Sequence, residues 1–423
     1  MRLNVHDFSG HPFQVELSRS LAARGHEVLH GFATQYVTGH GRLTVEADDP
    51  RSLRIEGLTC GVPMVKYSPV GRARFEMSYA AAWQAELERE QFDVVVACNV
   101  PLFALDRMRR FFARRRQPWV LWHQDLHSLG VGAEAGRKLP GPMAQLARTR
   151  LERMEAGQVR AANAVVPITA EMVRRYADWG VSERQGIHVI PNWAPLNDVA
   201  PGTRDNTWAQ QQRLPQRSLR LMYAGTLGRK HNPLLLLELL DACRADGVDV
   251  HLTVVSEGVG ADDLAAAAGP RDDLLLLGYQ PAAVVSQMLA SADVSIALLE
   301  PDAAEFSVPS KVLTYLAAGR PILALVPLSN PCAADVTAAG GFAAPPSSAG
   351  VTAARTWIGS LAADRDRLVE IGRQARALAC QRFDIEQITD RFEEILDAAM
   401  GRRVTAPSVA PRVLAAPHGK AAR

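Results

Sequence analysis

Apolar residues along this chain fall into two alternating series of short runs and helix-spaced positions. In the first series, Leu3 to Phe8 reads as a strand that ends at Ser9-Gly10-His11-Pro12. Phe13, Leu17 and Leu21 then recur on one face of a helix stopped at Gly25, and His26 to Gly31 reads as the next strand. Strands are predicted at Asp93 to Cys98, Pro118 to Trp122, Asn163 to Thr169 and Gly186 to Pro191. Helices are predicted at Phe75 to Arg89, Leu102 to Arg116, Met143 to Ala162 and Ala170 to Trp179. Much of 32–92 shows no clear period, and glycine-rich 129–140 is expected to be mobile.

Residues 195–217, with Pro, Gly, Asn and Gln and few large aliphatics, read as a linker. A second series follows. Strands are predicted at Leu219 to Ala224, Val250 to Ser256, Leu274 to Gly278 and Val294 to Leu299, with helices from Pro233 and over Ala282 to Ala290. Glu305 to Ala324 predicts a loop, a helix capped by Ser310, a stop at Gly319 and a buried strand from Ile322 to Val326. Ile385, Ile388, Phe392, Ile395 and Leu396 mark one face of a last helix ending at Met400. Residues 401–423, rich in Ala, Pro, Val and basic residues, are expected to be a disordered tail. Strict alternation of strand and helix implies parallel sheets, hence an α/β fold of two Rossmann-like domains facing across a cleft.

Composition narrows the partners. At 423 residues a single core is not expected. A net charge of +2 gives no case for nucleic acid as a partner. The five cysteines contain no CxxC pair, which argues against a zinc site or a disulfide framework. The first residues lack the apolar core of a secretory signal, and no apolar run is long enough to span a membrane. Arg107, Arg109, Arg110, Arg114, Arg115 and Arg116 lie opposite an apolar helix face, with Phe111 and Trp119 close by. That pattern suits contact with an anionic membrane surface through 107–116.

Candidate chemistry gathers at predicted strand ends. Gly10 follows the first strand alone, without the rest of a dinucleotide fingerprint. His123 and Asp125 follow the Pro118 strand, where polar groups of α/β folds line the crevice, and are candidates for acid–base or hydroxyl-orienting work. In the second series, Gly225 to His231 supplies two glycines and the cations Arg229 and Lys230, and Ser310-Lys311 opens a helix. Both point positive groups at one place, as a diphosphate requires, and no metal ligands accompany them.

In this order, the segments SGHPFQVELSRSLAARGHEV, ITAEMVRRYADWGVSERQGIHVIPNW, LMYAGTLGRK, VVSEGVG, LLLLGYQPAAVVSQMLASADVSIALLE and VPSKVLTYLAAGRPILA resemble the GT-B retaining glycosyltransferases of family four. They are most similar to bacterial transferases of surface-polysaccharide synthesis, of the colanic-acid and aminosugar type. The resemblance implies an acceptor domain over 1–198, a donor domain over 199–382 and a helix over 383–400 crossing back to the first. It implies that Gly10, Gly225, Arg229, Lys230, Ser310 and Lys311 face the donor phosphates or sugar. Glu257 and Tyr279 would also serve the donor, Tyr279 near the base, and His123 and Asp125 would lie near the transferred sugar. It further implies a nucleoside-diphosphate-sugar donor, a glycan or polyprenyl-linked acceptor, no bound metal or cofactor, and a cytoplasmic site that can be peripheral on the inner membrane face. Many members carry two glutamates separated by seven residues here. In this chain Glu305 is followed at that spacing by Leu313, and alignment on Gly319 puts Thr314 at the second position, weakening the implied ribose contact. Two other readings stand beside a transferase: a nucleotide-sugar 2-epimerase, which would act without an acceptor, and a degenerate partner without activity.

Overall fold

The computed structural model describes residues 1–36, 41–64, 69–181, 186–228, 231–303 and 308–401. The first unit contains β1 (Arg2–Asp7), α1 (Pro12–Ala23), β2 (Glu27–Ala33), β3 (Leu53–Leu58), α2 (Pro69–Arg89), β4 (Val94–Cys98) and α3 (Leu102–Arg115). It continues through β5 (Trp119–His123), α4 (His127–Lys138), α5 (Gly141–Ala161), β6 (Ala164–Pro167) and α6 (Ala170–Asp178). Its sheet is parallel, in the order β3-β2-β1-β4-β5-β6. Both faces are covered, which is why β4 reads as an unbroken apolar run. Val94, Val96 and Cys98 enter one core with α1; Val95 and Ala97 enter the other with α2, α3 and α5.

The second unit starts with a short helix, α7 (Thr207–Gln211), and β7 (Leu219–Ala224), α8 (Leu234–Ala245), β8 (Val250–Val255), α9 (Val259–Ala268), β9 (Leu274–Leu277) and α10 (Ala282–Ala290). It ends with β10 (Val294–Leu298), α11 (Lys311–Ala317), β11 (Ile322–Leu325), α12 (Pro331–Ala338), β12 (Phe342–Ala344), α13 (Ser348–Ala363) and α14 (Arg365–Arg382). The order β12-β11-β10-β7-β8-β9 repeats that of the first sheet. Each sheet therefore has a switch point where the order reverses, beside β1 and beside β7, and ligands of open α/β sheets bind outside such points.

The last helix, α15 (Ile385–Ala399), lies on the first sheet: Phe392 meets the Trp122 ring at 4.9 Å, and Ile388, Ile395 and Leu396 join the α1 core. Arg24 pins it with ion pairs to Glu386 (3.0 Å), Asp390 (2.5 Å) and Glu393 (2.7 Å).

Several expectations are corrected. Residues 195–217 are not a loose connection. Trp208 is buried in the second core, and the buried Arg220 guanidinium donates to the carbonyls of Arg204, Leu214 and Pro215. Residues 129–140 are largely α4, which packs along α5: a Cβ on Gly132 would stand 3.5 Å from Arg148 Cγ. Strand β3 went unseen because it is a half-exposed edge containing Gly57. The segment 186–191 makes one parallel bridge, Ile187 to Val165, rather than a full strand. Among the described residues, no helix is long and apolar enough to cross a membrane. Residues 402–423, including nearly all of the expected tail, lie outside the described residues.

Candidate active site

The loop after β1 is built around Asp7. Its buried carboxylate accepts from Ser9 N (3.2 Å), His11 N (2.6 Å) and Asn99 Nδ2 (2.8 Å). Burial pushes the Asp7 carboxyl up while these bonds oppose the shift. Gly10 sits at φ +68°, a conformation that favours glycine, and its carbonyl accepts from Gly41 N (2.8 Å). Gly10 is thus held at the switch point of the first sheet.

Beside it lies a cavity of about 520 Å³ between the two units, lined by His11, Gln14, Glu16, Asn99, Gln124, Asp125, Glu171, Asn192 and Trp193 from one side and Val308, Ser310, Leu313 and Thr314 from the other. Trp193 stacks on Trp122 (5.9 Å between centroids) and donates to Glu16 Oε2 (2.6 Å). Burial raises the Glu16 carboxyl. Gln124 and Asn192 exchange amide hydrogen bonds at 2.8 and 2.9 Å.

Asp125 is exposed on the wall of this cavity; His123 is not part of it. The His123 ring is buried, with Nε2 3.2 Å from Glu155 Oε1 and Nδ1 2.6 Å from the Tyr176 hydroxyl. One neutral tautomer satisfies both, since the carboxylate requires a donor and the phenol can supply one. Burial holds the Tyr176 phenol protonated. The expectation that His123 acts in the cleft is therefore corrected to a positioning role through Glu155. Glu155, unnoticed in the sequence, also accepts from His127 N (2.8 Å) and Ser128 N (3.1 Å), fixing the start of α4 just beyond Asp125. Burial alone would raise the Glu155 carboxyl, but bonding to His123 and Ser128 and the nearby His127 hold it below its ordinary value.

A second cavity of about 500 Å³ lies at the switch point of the second sheet, lined by Gly225, Thr226, His231, Tyr279, Gln280, Ser310, Lys311, Thr314 and Tyr315. The two cavities share Val308, Ser310 and Thr314. The Lys311 ammonium stands 3.7 Å from the Tyr223 ring centroid and donates to its hydroxyl. Burial raises the Tyr223 phenol, keeping it neutral. Gly225, at φ +128°, makes room: a Cβ there would stand 3.3 Å from Lys311 Nζ. Tyr315 locks the end of β7, its hydroxyl accepting from Ala224 N (2.9 Å) and donating to Ala224 O (3.0 Å). Glu257 accepts from Tyr279 N (3.2 Å), and the Tyr279 hydroxyl bonds Thr226 Oγ1. Gly258 and Gly260 seat this loop against the Leu227 carbonyl, which accepts from Gly260 N (2.9 Å).

Ser310 precedes α11 but makes no side-chain cap, because its own backbone is already helical. Its hydroxyl group belongs instead to a residue lining both cavities. Arg229, Lys230 and Glu305 lie outside the described residues. Among the described residues no three His, Cys, Asp or Glu side chains gather as metal ligands would.

The arginine face of α3 differs from its expectation. Phe111 and Trp119 are close by but buried, with the Arg115 guanidinium 5.5 Å from the Phe111 ring centroid. Arg109 and Arg110 clamp Asp106 at 2.6 and 2.5 Å. Arg110, Arg114, Arg115 and Arg116 remain exposed.

Residues 13–198 match the model of Glycosyltransferase Family 4, and residues 218–356 match Glycosyl transferases group 1. No curated protein matches the chain in sequence. Among solved structures, sucrose-phosphate synthase from Thermosynechococcus elongatus superposes with a TM-score of 0.69 at 16% identity, over 93% of this chain and 98% of that one. HepE of Anabaena, in complex with UDP-glucose, gives 0.66 at 17%, over 94% and 100%. WaaG, a glycosyltransferase of lipopolysaccharide biosynthesis, gives 0.61 at 16%, over 94% and 99%. Taken with the two facing sheets and the paired cavities at their switch points, these matches identify the chain as a glycosyltransferase of the GT-B fold.

Proposed function

We propose that this protein is a retaining hexosyltransferase that moves a sugar from a nucleoside-diphosphate sugar to a glycan or polyprenyl-linked acceptor in surface-polysaccharide synthesis. The observation that carries the reading is the junction of the two cavities at Ser310 and Thr314, with Lys311 beside one of them. A sugar diphosphate seated in the smaller cavity would put its anomeric carbon at that junction. The HepE complex with UDP-glucose on the same fold supports this choice of donor class.

In the proposed reaction Lys311, with Arg229 and Lys230, stabilises the charge that develops on the leaving diphosphate. In this reading Gly10 lets the loop after β1 approach the phosphate and sugar end. Tyr279, braced by Glu257, borders the base. The acceptor hydroxyl attacks on the face the diphosphate leaves, and the departing phosphate takes its proton. Asp125 orients that hydroxyl, and the chemistry runs without a bound metal. Residues 1–198 form the acceptor half, 199–382 the donor half, and 383–400 the returning helix. The site is cytoplasmic, and the exposed arginines of α3 hold the protein to an anionic inner membrane face.

Thermal unfolding with UDP and GDP, magnesium absent, tests the reading. A nucleotide at a hundredfold its Kd adds about 2.7 kcal/mol of stability. A selective upward shift is expected; no shift with either nucleotide refutes a donor site. Formation of a glycoside only when acceptor is present separates transfer from 2-epimerisation, which needs none.

A further inference from the structure

Tyr223, near the end of β7, stands behind the wall of the smaller cavity. It lines neither cavity and is fully buried in a core of the second unit, whereas Lys311 lines the smaller one. The two side chains meet in two ways. The Lys311 ammonium is 3.7 Å from the Tyr223 ring centroid, within cation–π range, and it donates to the Tyr223 hydroxyl. That hydroxyl has one proton, which it donates to the Thr226 carbonyl (3.0 Å). Its lone pairs are therefore turned to the ammonium. On the other flank, a Cβ at Gly225 would stand 3.2 Å from Lys311 Cε and 3.3 Å from Nζ, so glycine leaves the stem its room.

A lysine carries its charge on a flexible four-carbon stem, and its position is set by what holds the ammonium. Stabilising a leaving group by charge requires that charge to be in place beforehand. One ring face and one oriented hydroxyl supply such a seat. An ammonium has three N–H donors, so a bond to Tyr223 does not exhaust it. Tyr223 is also tied to the loop beyond β7, because it bonds the Thr226 carbonyl and Thr226 Oγ1 in turn bonds the Tyr279 hydroxyl. Its effect on a ligand could therefore pass through Lys311 or through that loop. The direct contacts favour Lys311, and the two routes are separable by experiment.

We infer that Tyr223 is the positioning residue for Lys311: its ring and hydroxyl hold the ammonium at the wall of the smaller cavity, ready for the leaving diphosphate. Tyr223 touches no substrate and acts on the donor through Lys311. This rests on the donor-site reading above.

The test is a double-mutant cycle on the full chain, read by calorimetric titration at pH 7 with UDP, or with GDP if the wild type binds only that nucleotide. Tyr223→Phe keeps the ring and removes the hydroxyl, and it should weaken nucleotide binding about fivefold. In a Lys311→Ala background the same change should move Kd by less than about twofold, since the group it positions is gone. Tyr223→Leu, which removes the ring face as well, should cost more than Tyr223→Phe, so the phenylalanine rescues part of the affinity. If the leucine variant fails to fold, the phenylalanine cycle decides alone. Unchanged affinity in Tyr223→Phe, or an equal loss with and without Lys311, would overturn the inference; the second result would assign Tyr223 to shaping the Thr226 loop. A wild type that binds neither nucleotide would strike the donor reading itself, and this inference with it.

Discussion

Glu155 offers the sharpest check on how the Asp125 wall of the larger cavity is held. Replacing it with Ala removes the acceptor for His123 Nε2, His127 N and Ser128 N together. The residue is 1% exposed, so water does not readily replace it. Each orphaned donor costs about 1–3 kcal/mol, and removal of one partner from a buried charge-bonded cluster costs about 3–5 kcal/mol in all. Glu155→Gln keeps one acceptor oxygen but turns an NH₂ group toward backbone N–H donors, so roughly half of that loss is expected. At roughly 2–4 °C per kcal/mol, Glu155→Ala should lower Tm by roughly 10 °C. The pH dependence has a definite sign. Because the folded-state pKa is depressed, this stabilisation is fully present above the ordinary glutamate value of 4.5 and is lost as pH falls through the lower folded value. The stability gap between wild type and Glu155→Gln should therefore narrow below pH 4.5, as followed by denaturant unfolding at several pH values. Transfer should fall more than UDP affinity, since the disturbed segment carries Asp125 and not Lys311. A Glu155→Ala protein melting within about 2 °C of wild type, or a pH-independent gap, would refute the argument.

Other outcomes follow from the same structure. Lys311→Ala should weaken UDP binding by about 1.5–3 kcal/mol, the range for a charge-assisted contact, and calorimetric titration with unchanged Kd would misplace the phosphate site. Glu86 sits partly buried with Oε1 unpartnered, and its carboxyl is raised from 4.5 to about 7. Its folded state favours the protonated form, so stability is full below pH 4.5 and declines as pH rises through 7, by at most about 3 kcal/mol. Glu86→Gln should stabilise at pH 8 and be neutral at pH 4 in urea melts; equal effects at both would contradict the assignment. Neutralising Arg110, Arg114, Arg115 and Arg116 should reduce sedimentation with phosphatidylglycerol vesicles at low salt, and unaltered sedimentation would reject α3 as the contact.

What was legible in the sequence followed from local physics. Two-faced burial made the strands of both sheets visible as apolar runs, and Gly319 at φ +62° marks the end of α11 as glycine usually does. What stayed hidden depends on partners distant in sequence. Three glycines argued against α4, yet its first turn is held by Glu155 on the next helix. The placement of His123 did leave a signal. On β5, Trp119 and Leu121 face the α3–α5 layer while Val120 and Trp122 face α1 and α15. Period two puts His123 with Trp119 and Leu121, beneath α5, and an acid at Glu155, four residues from Leu151 and Val159 on the buried face, is its natural partner. Position past a strand end located the crevice; the alternation along the strand decides which of its residues reach it.

Thr314 brings the donor and acceptor arguments together. It lines both cavities, at the position where the resemblance expects a glutamate to hold ribose hydroxyls. A threonine there can make a neutral hydrogen bond, about 0.5–1.5 kcal/mol, where a carboxylate makes one of about 1.5–3 kcal/mol. The same substitution spares the junction a negative charge. The larger cavity already holds Glu16, Asp125 and Glu171, and a carboxylate at 314 would add to them. If the wild-type residue balances these effects, Thr314→Glu should tighten UDP binding by about 1 kcal/mol while slowing transfer, because charge developing on the leaving phosphate is opposed. Affinity by calorimetry and single-turnover transfer rates separate the two. Weaker UDP binding in Thr314→Glu would show that residue 314 meets phosphate rather than ribose, and would move the nucleotide along the smaller cavity toward Tyr279.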